Sequence, residues 1–87
     1  MSAGEVIARL MAATQKLDEA RAKTAAAAQD AAEARQLVEG ALQGIPAGPL
    51  LGMIDAYRQS LMQAAGQGEP AKQQVQETIT KVQALGN

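Results

Sequence analysis

The stretch LQGIPAGPLLG, residues 42–52, lies at the middle of an 87-residue chain and decides how that chain folds. Proline and glycine interrupt helices, and four of them fall within residues 44–49. The stretch therefore predicts a turn at residues 44–48 between two longer segments. It also carries more apolar side chains than a solvated turn requires, namely Leu42, Ile45, Leu50 and Leu51.

The composition of the two flanking segments favours helix. Hydrophobic residues make up 47% of the chain, alanine and glutamine are abundant, and Tyr57 is the single aromatic residue. Such a profile is typical of helix almost throughout. The sequence therefore predicts one all-α domain over residues 1–87, and its alanine and glutamine usage would suit a bacterial genome of high GC content.

Before the turn, small or apolar residues recur at alternating intervals of four and three, the repeat of a coiled coil. Ser2 and Glu5 have the spacing of a capping box, so a helix is predicted over residues 3–43. One row of the repeat consists of Leu10, Leu17, Thr24, Ala31 and Val38. The other row, which we call the alanine row, consists of Ala13, Ala20, Ala27, Ala34 and Ala41.

The same spacing resumes after the turn and predicts a second helix over residues 49–85. Its two rows are Leu50, Tyr57, Ala64, Ala71, Thr78 and Leu85, and Ile54, Leu61, Gly68, Val75 and Val82. Pro70 lacks an amide hydrogen and would collide with the carbonyl of Gly66 in a regular helix. We therefore expect a kink or a break near Gly66 and Pro70, with a separate third helix as the alternative.

Laid antiparallel about a turn centred at Ala47 and Gly48, the two segments predict a helical hairpin in which large residues face small ones. The pairing places Ala27 opposite Gly68 and makes a thin waist at this level. The predicted hairpin core consists of Leu10, Leu17, Ala27, Ala31, Val38, Ile54, Tyr57, Leu61, Val75, Val82 and Leu85.

An alanine-rich seam between two helices buries little apolar surface against the entropy of ordering the chain. Further apolar residues lie off the predicted seam and near its ends, so we expect a four-helix bundle or a larger helical oligomer. The alternative is that the turn residues only close a single hairpin. The predicted interface consists of Ile7, Met11, Leu37, Leu42, Ile45, Leu51, Met53, Met62 and Ile79.

The chain has little equipment for chemistry. It contains no cysteine and no histidine, so we predict no catalytic residue, no metal site and no cofactor. With 8 basic and 9 acidic side chains interspersed, the net charge of −1 disfavours nucleic acid as a partner. No signal peptide and no apolar run long enough for a membrane span is recognisable. We expect a cytoplasmic protein, with export by a route other than Sec left open.

Two helices of about forty residues around a mid-chain turn resemble the W-x-G helical-hairpin proteins associated with type VII secretion. The tripeptide Leu42-Gln43-Gly44 matches the glycine and the spacing of that motif but has leucine in place of tryptophan. Exported members carry a Tyr-x-x-x-acidic signal after the second helix. Here Tyr57 lies early in the second helix and is followed four residues later by Leu61, so no such signal is present.

These features favour a non-enzymatic helical interaction protein, which self-associates or pairs with a similar small hairpin. The resemblance implies a possible type VII secretion substrate. The alternative is an amphipathic protein that binds a lipid surface, because the apolar stripe is long and is flanked by methionine and leucine.

Overall fold

The computed structural model describes residues 1–86 and consists of two helices joined by a short turn. Helix α1 comprises Ala3–Ala41 and helix α2 comprises Gly48–Gly86. They lie antiparallel against each other in a rod 68 Å long and 14 Å in each cross-section direction. The prediction of an all-α helical hairpin is confirmed. The first helix ends two residues earlier than expected, and the second begins one residue earlier and ends one residue later.

The ends of α1 are closed by hydrogen bonds. At the start, the backbone N–H of Glu5 donates to the Ser2 hydroxyl at 3.1 Å, as the capping motif predicts. At the other end, the N–H of Leu42 donates to the Val38 carbonyl at 2.9 Å. Gly44 follows with φ of +78°, a left-handed conformation that glycine adopts without steric cost and that reverses the chain here.

Helix α2 passes through Gly66 and Pro70 without interruption. Of the predicted kink or break, the break is therefore wrong, and so is the alternative of a separate third helix; the kink stays a prediction. Pro70 cannot donate a hydrogen bond to the Gly66 carbonyl, but both residues are exposed, so water can take the place of the missing donor. A proline on the solvated side of a long helix is tolerated for this reason.

The seam, meaning the residues that each helix turns toward the other, keeps one predicted row and replaces the second. In α1 a row one residue further along the chain takes the place of the alanine row. The alanine row then lies beside the seam, with Ala13 and Ala27 half-buried and Ala20, Ala34 and Ala41 exposed. The same displacement occurs in α2. The replacing residues, which are all buried or half-buried, are Ile7, Thr14, Arg21, Ala28, Arg35 and Leu42 in α1 and Leu51, Arg58, Ala65, Lys72 and Ile79 in α2.

Two members of the predicted core consequently lie outside it. Tyr57 is 62% exposed and Leu85 is 87% exposed, because their row lies beside the seam instead of in it. The remaining predicted core residues are buried or half-buried: Leu10, Leu17, Ala27, Ala31, Val38, Ile54, Leu61, Val75 and Val82.

The register of the helices also differs from the prediction. A Cβ built on Gly86 would lie 3.2 Å from the Cβ of Ala3, and a Cβ on Gly68 would overlap the side-chain stem of Arg21. In both pairs the residue numbers add up to 89, which centres the turn between Gly44 and Ile45 rather than at residues 47 and 48. The predicted pairing of Ala27 with Gly68 is therefore wrong.

This register brings large side chains level with small ones through a different set of pairs. Arg21 is level with Gly68, Leu61 with Ala28, and Arg58 with Ala31. Ala28 and Ala31, each 7% exposed, are the most deeply buried residues within residues 1–86. The core of the hairpin is thus thin, as its alanine content predicts, although it is built from other pairs.

Candidate interaction surfaces

The ionic face is the side of the seam on which charged residues of the two helices meet. Arg21 Nη1 lies 2.8 Å from Glu69 Oε2, Arg35 Nε lies 2.7 Å from Asp55 Oδ1, and Lys72 Nζ lies 3.1 Å from Asp18 Oδ1. The three cations belong to the seam, where their aliphatic stems lie between the helices. Each of the three carboxylates comes one residue after a member of the kept seam row. In antiparallel helices, positions that have the same place in the repeat lie on the same side of the seam, so all three carboxylates flank it on this side.

The cations in the seam explain why a row containing arginine lies between the helices where the alanine row was predicted. Arginine and lysine bury their methylene stems while the charged head reaches the surface, so a seam position can accept them. Where Arg21 crosses α2, Gly68 leaves room for the stem. At the ends of the seam the same rows contribute Ile7, Leu42 and Leu51, which bury more apolar surface than alanine would.

The remaining seam cation, Arg58, departs from a simple rule that the ion pairs follow. In each of the three pairs the residue numbers of cation and carboxylate add up to 90. The position that would complement Arg58 is 32, which is occupied by Ala32. Within residues 1–86, no carboxylate lies within 4 Å of the Arg58 guanidinium, although the side chain is half-buried.

An open groove of about 570 Å³ lies beside Arg58 on the ionic face. It is lined by alanines of α1, among them Ala28 and Ala32, together with Glu33 and with Met62 of α2.

The apolar face is the opposite side of the seam, where the displaced rows of both helices meet. It contains no charged residue, in contrast to the ionic face. Both rows flank the seam on the same side, again because the helices are antiparallel. Its members are Val6, Ala13, Ala20, Ala27, Ala34 and Ala41 of α1 and Leu50, Tyr57, Ala64, Ala71, Thr78 and Leu85 of α2.

Large exposed side chains concentrate where the apolar face approaches the turn. Leu50 and Tyr57 lie on this face, and Leu37 and Met53 border it on the outer edges of α1 and α2. Leu37 is 75% exposed, Met53 71% and Tyr57 62%, and Leu50 is exposed as well. We call these four residues the turn-end patch. Farther from the turn, the apolar face is built mainly from alanine until Leu85 and Val6 at the open end of the hairpin.

The nine residues of the predicted interface fall into two groups. Four of them, Ile7, Leu42, Leu51 and Ile79, are half-buried in the seam of the hairpin. The other five are exposed. Leu37 and Met53 border the apolar face, Met11 and Met62 flank the ionic face, and Ile45 lies in the turn.

The sequence-based interpretation missed Leu50 and Tyr57 as surface residues because it placed their row in the seam. The signal that could have found them is the position of the charges. Arg21 and Arg35 are two heptads apart, as are Arg58 and Lys72, and each of these two pairs lies in a row that begins and ends with large aliphatic residues.

The described residues show no arrangement typical of a metal site or of a membrane span. In residues 1–86, no three histidine, cysteine, aspartate or glutamate side chains come together as possible metal ligands. Neither described helix is long and apolar enough to cross a bilayer.

Sequence comparison assigns the whole chain to a family. The model of the family of unknown function DUF6244 matches residues 1–87, and the chain therefore belongs to that family. No curated protein and no solved structure matches the chain. The resemblance to W-x-G hairpin proteins stays a prediction.

Proposed function

We propose that this chain is a non-enzymatic helical interaction module that associates with a second copy of itself or with a similar hairpin. The observation that carries the proposal is the apolar face, which runs the length of the rod without a charged residue. The inter-helix ion pairs lie on the other side, so the hairpin has one side suited to solvent and one suited to a partner.

The exposed surface supports the same proposal. The chain exposes 6285 Å², whereas a compact protein of 9.0 kDa exposes about 4,850 Å². A stable protein interface buries about 800 Å² on each partner. One side of a rod 68 Å long and 14 Å wide offers about 950 Å², which is enough for such an interface.

Sedimentation equilibrium across a range of micromolar concentrations tests the proposal. We expect a species of at least twice the 9.0 kDa chain mass, with dissociation on dilution. A well-folded 9.0 kDa monomer at all concentrations would refute self-association, and pairing with another hairpin would then require a different chain in the sample.

Binding to a lipid surface is the second candidate, and one arrangement favours it. Arg9, Lys16 and Lys23 of α1 and Lys81 of α2 are exposed and border the apolar face away from the turn. Basic residues beside an apolar surface are typical of helices that lie on anionic membranes. Co-sedimentation with vesicles containing phosphatidylserine tests this function, and loss of binding at high salt would identify the basic border as its cause.

Export by a type VII-like system is a narrower proposal. It is supported by the hairpin and by Leu42-Gln43-Gly44 at the turn, where Gly44 has its positive φ. A neighbouring gene for a second small hairpin or for a secretion ATPase would favour it. Retention of the protein inside cells that carry an active system would count against it.

A further inference from the structure

We infer that two copies of this hairpin pack with their apolar faces together and their turns at the same end, about a two-fold axis parallel to the rod. This inference rests on the proposed function and specifies its interface. The turn-end patch of each copy then packs against the turn region of the other.

The uneven distribution of large side chains favours this orientation. Leu37, Leu50, Met53 and Tyr57 are exposed within the part of the rod next to the turn. With the turns together, the two patches bury each other. With the turns at opposite ends, each patch would lie over the open end of the second copy, where Arg9 and Lys81 border the face.

The two rows of the apolar face are also complementary in size. In α1 the row is alanine from Ala13 to Ala41, whereas in α2 it begins with Leu50 and Tyr57. A two-fold axis parallel to the rod places α1 of one copy on α2 of the other. Tyr57 then lies near the level of Ala34 of the second copy, and Leu50 near the level of Ala41.

The opposite orientation loses this complementarity. It would stack α1 on α1 and α2 on α2, so alanine would face alanine along one side. Leu50 would approach Leu85 on the other side. The two hairpins would be close together where α1 meets α1 and far apart where α2 meets α2. Such uneven spacing would leave gaps, whereas protein interfaces pack at the density of protein interiors.

The absence of charge from the apolar face means that no ion has to be desolvated when it is covered. The charges that border the face are Arg9, Lys16, Lys23 and Asp30 of α1 and Lys81 of α2. At the open ends, Arg9 of one copy would approach Lys81 of the other. Salt screens this repulsion, so we expect added salt to strengthen association. Binding to anionic vesicles would respond to salt in the opposite direction.

The orientation is tested by a distance between two copies. The chain contains no cysteine, so Gln43→Cys introduces a single site for a spin label in the exposed turn. Pulsed electron resonance should give an inter-label distance comparable to the 14 Å cross-section with the turns together, broadened by the label linkers. A distance near the 68 Å length would overturn the orientation but leave self-association intact.

The face is tested by a matched pair of double variants. Leu50→Gln with Tyr57→Gln alters the apolar face, and Met11→Gln with Met62→Gln alters exposed residues beside the ionic face. We expect the first pair to raise the dimer dissociation constant at least tenfold and the second to leave it within twofold. Equal effects would overturn the choice of face. A wild-type monomer would overturn the proposed self-association too, whether or not it bound vesicles.

Discussion

The two long sides of the hairpin differ in the contacts that their residues make. The ionic face is closed by ion pairs between α1 and α2, and each pair joins a seam cation to a carboxylate of the other helix. The apolar face lacks charge and leaves Leu50 and Tyr57 in water. The difference teaches that the charged side is held by contacts within one chain, whereas the large side chains of the apolar side stay exposed in the single hairpin.

The most damaging single change is expected in the seam, on which both faces depend. Ala31 is 7% exposed, so Ala31→Leu should over-pack the seam and lower the free energy of unfolding by about 1–3 kcal/mol. Denaturant unfolding measures the loss. Ala26→Leu, at an exposed position on the outer side of α1, is the control and should change stability little. Equal stability of the two variants would mean that Ala31 does not face α2.

The helices, the turn and one of the two rows that each helix contributes to the seam were predictable, because each depends on local sequence. Gly44 and Pro46 stop α1, Ser2 caps it, and Leu10 and Leu17 recur with the helical period. The second row was not predictable from apolar periodicity alone. Only one of the two seam rows moves by one residue while the other is kept. The side that each helix turns toward the other therefore rotates by only about 50°, half the rotation between successive residues.

That small rotation was decided by arginine side chains, which a search for hydrophobic periodicity does not place in the seam. Counting apolar residues favours the alanine row, since the competing row of α1 contains Arg21 and Arg35. Their stems pack in the seam, and their guanidinium groups meet Glu69 and Asp55. Because these partners lie on the other helix, the pairing requires the hairpin register, which the turn sequence alone does not fix.

Gly66 and Gly68 of α2 lie on different sides of that helix: Gly68 lies in the seam and Gly66 on the solvated side. A Cβ on Gly66 would meet nothing within 4 Å, so Gly66→Ala should stabilise the hairpin by about 0.5–1 kcal/mol through helix propensity. A Cβ on Gly68 would overlap the stem of Arg21, so Gly68→Ala should lose that gain or destabilise. Thermal unfolding of both variants measures the contrast. An equal gain in both would show that Arg21 does not cross α2 at Gly68.

Removing one carboxylate tests the contribution of the ionic face. Asp55→Asn leaves the half-buried Arg35 without its inter-helix partner and should cost up to about 1 kcal/mol at low salt. The cost is limited because Arg35 keeps Glu39, at 2.9 Å. Asp30→Asn changes the same charge at an exposed position with no ion pair among residues 1–86, and serves as the control. A cost shared by both variants would trace the effect to net charge.

The smallest expected effect concerns the place where the ionic face is incomplete. If the spacing rule of the three ion pairs governs the fourth seam cation, a carboxylate at position 32 should reach Arg58. Ala32→Glu is therefore expected to be more stable than Ala32→Gln by about 0.2–1 kcal/mol at low salt, because the two side chains differ chiefly in charge. The difference should vanish in high salt and in the background of Arg58→Met. A difference that survives Arg58→Met would mean that the new carboxylate acts on another group, and that the spacing rule does not extend to Arg58.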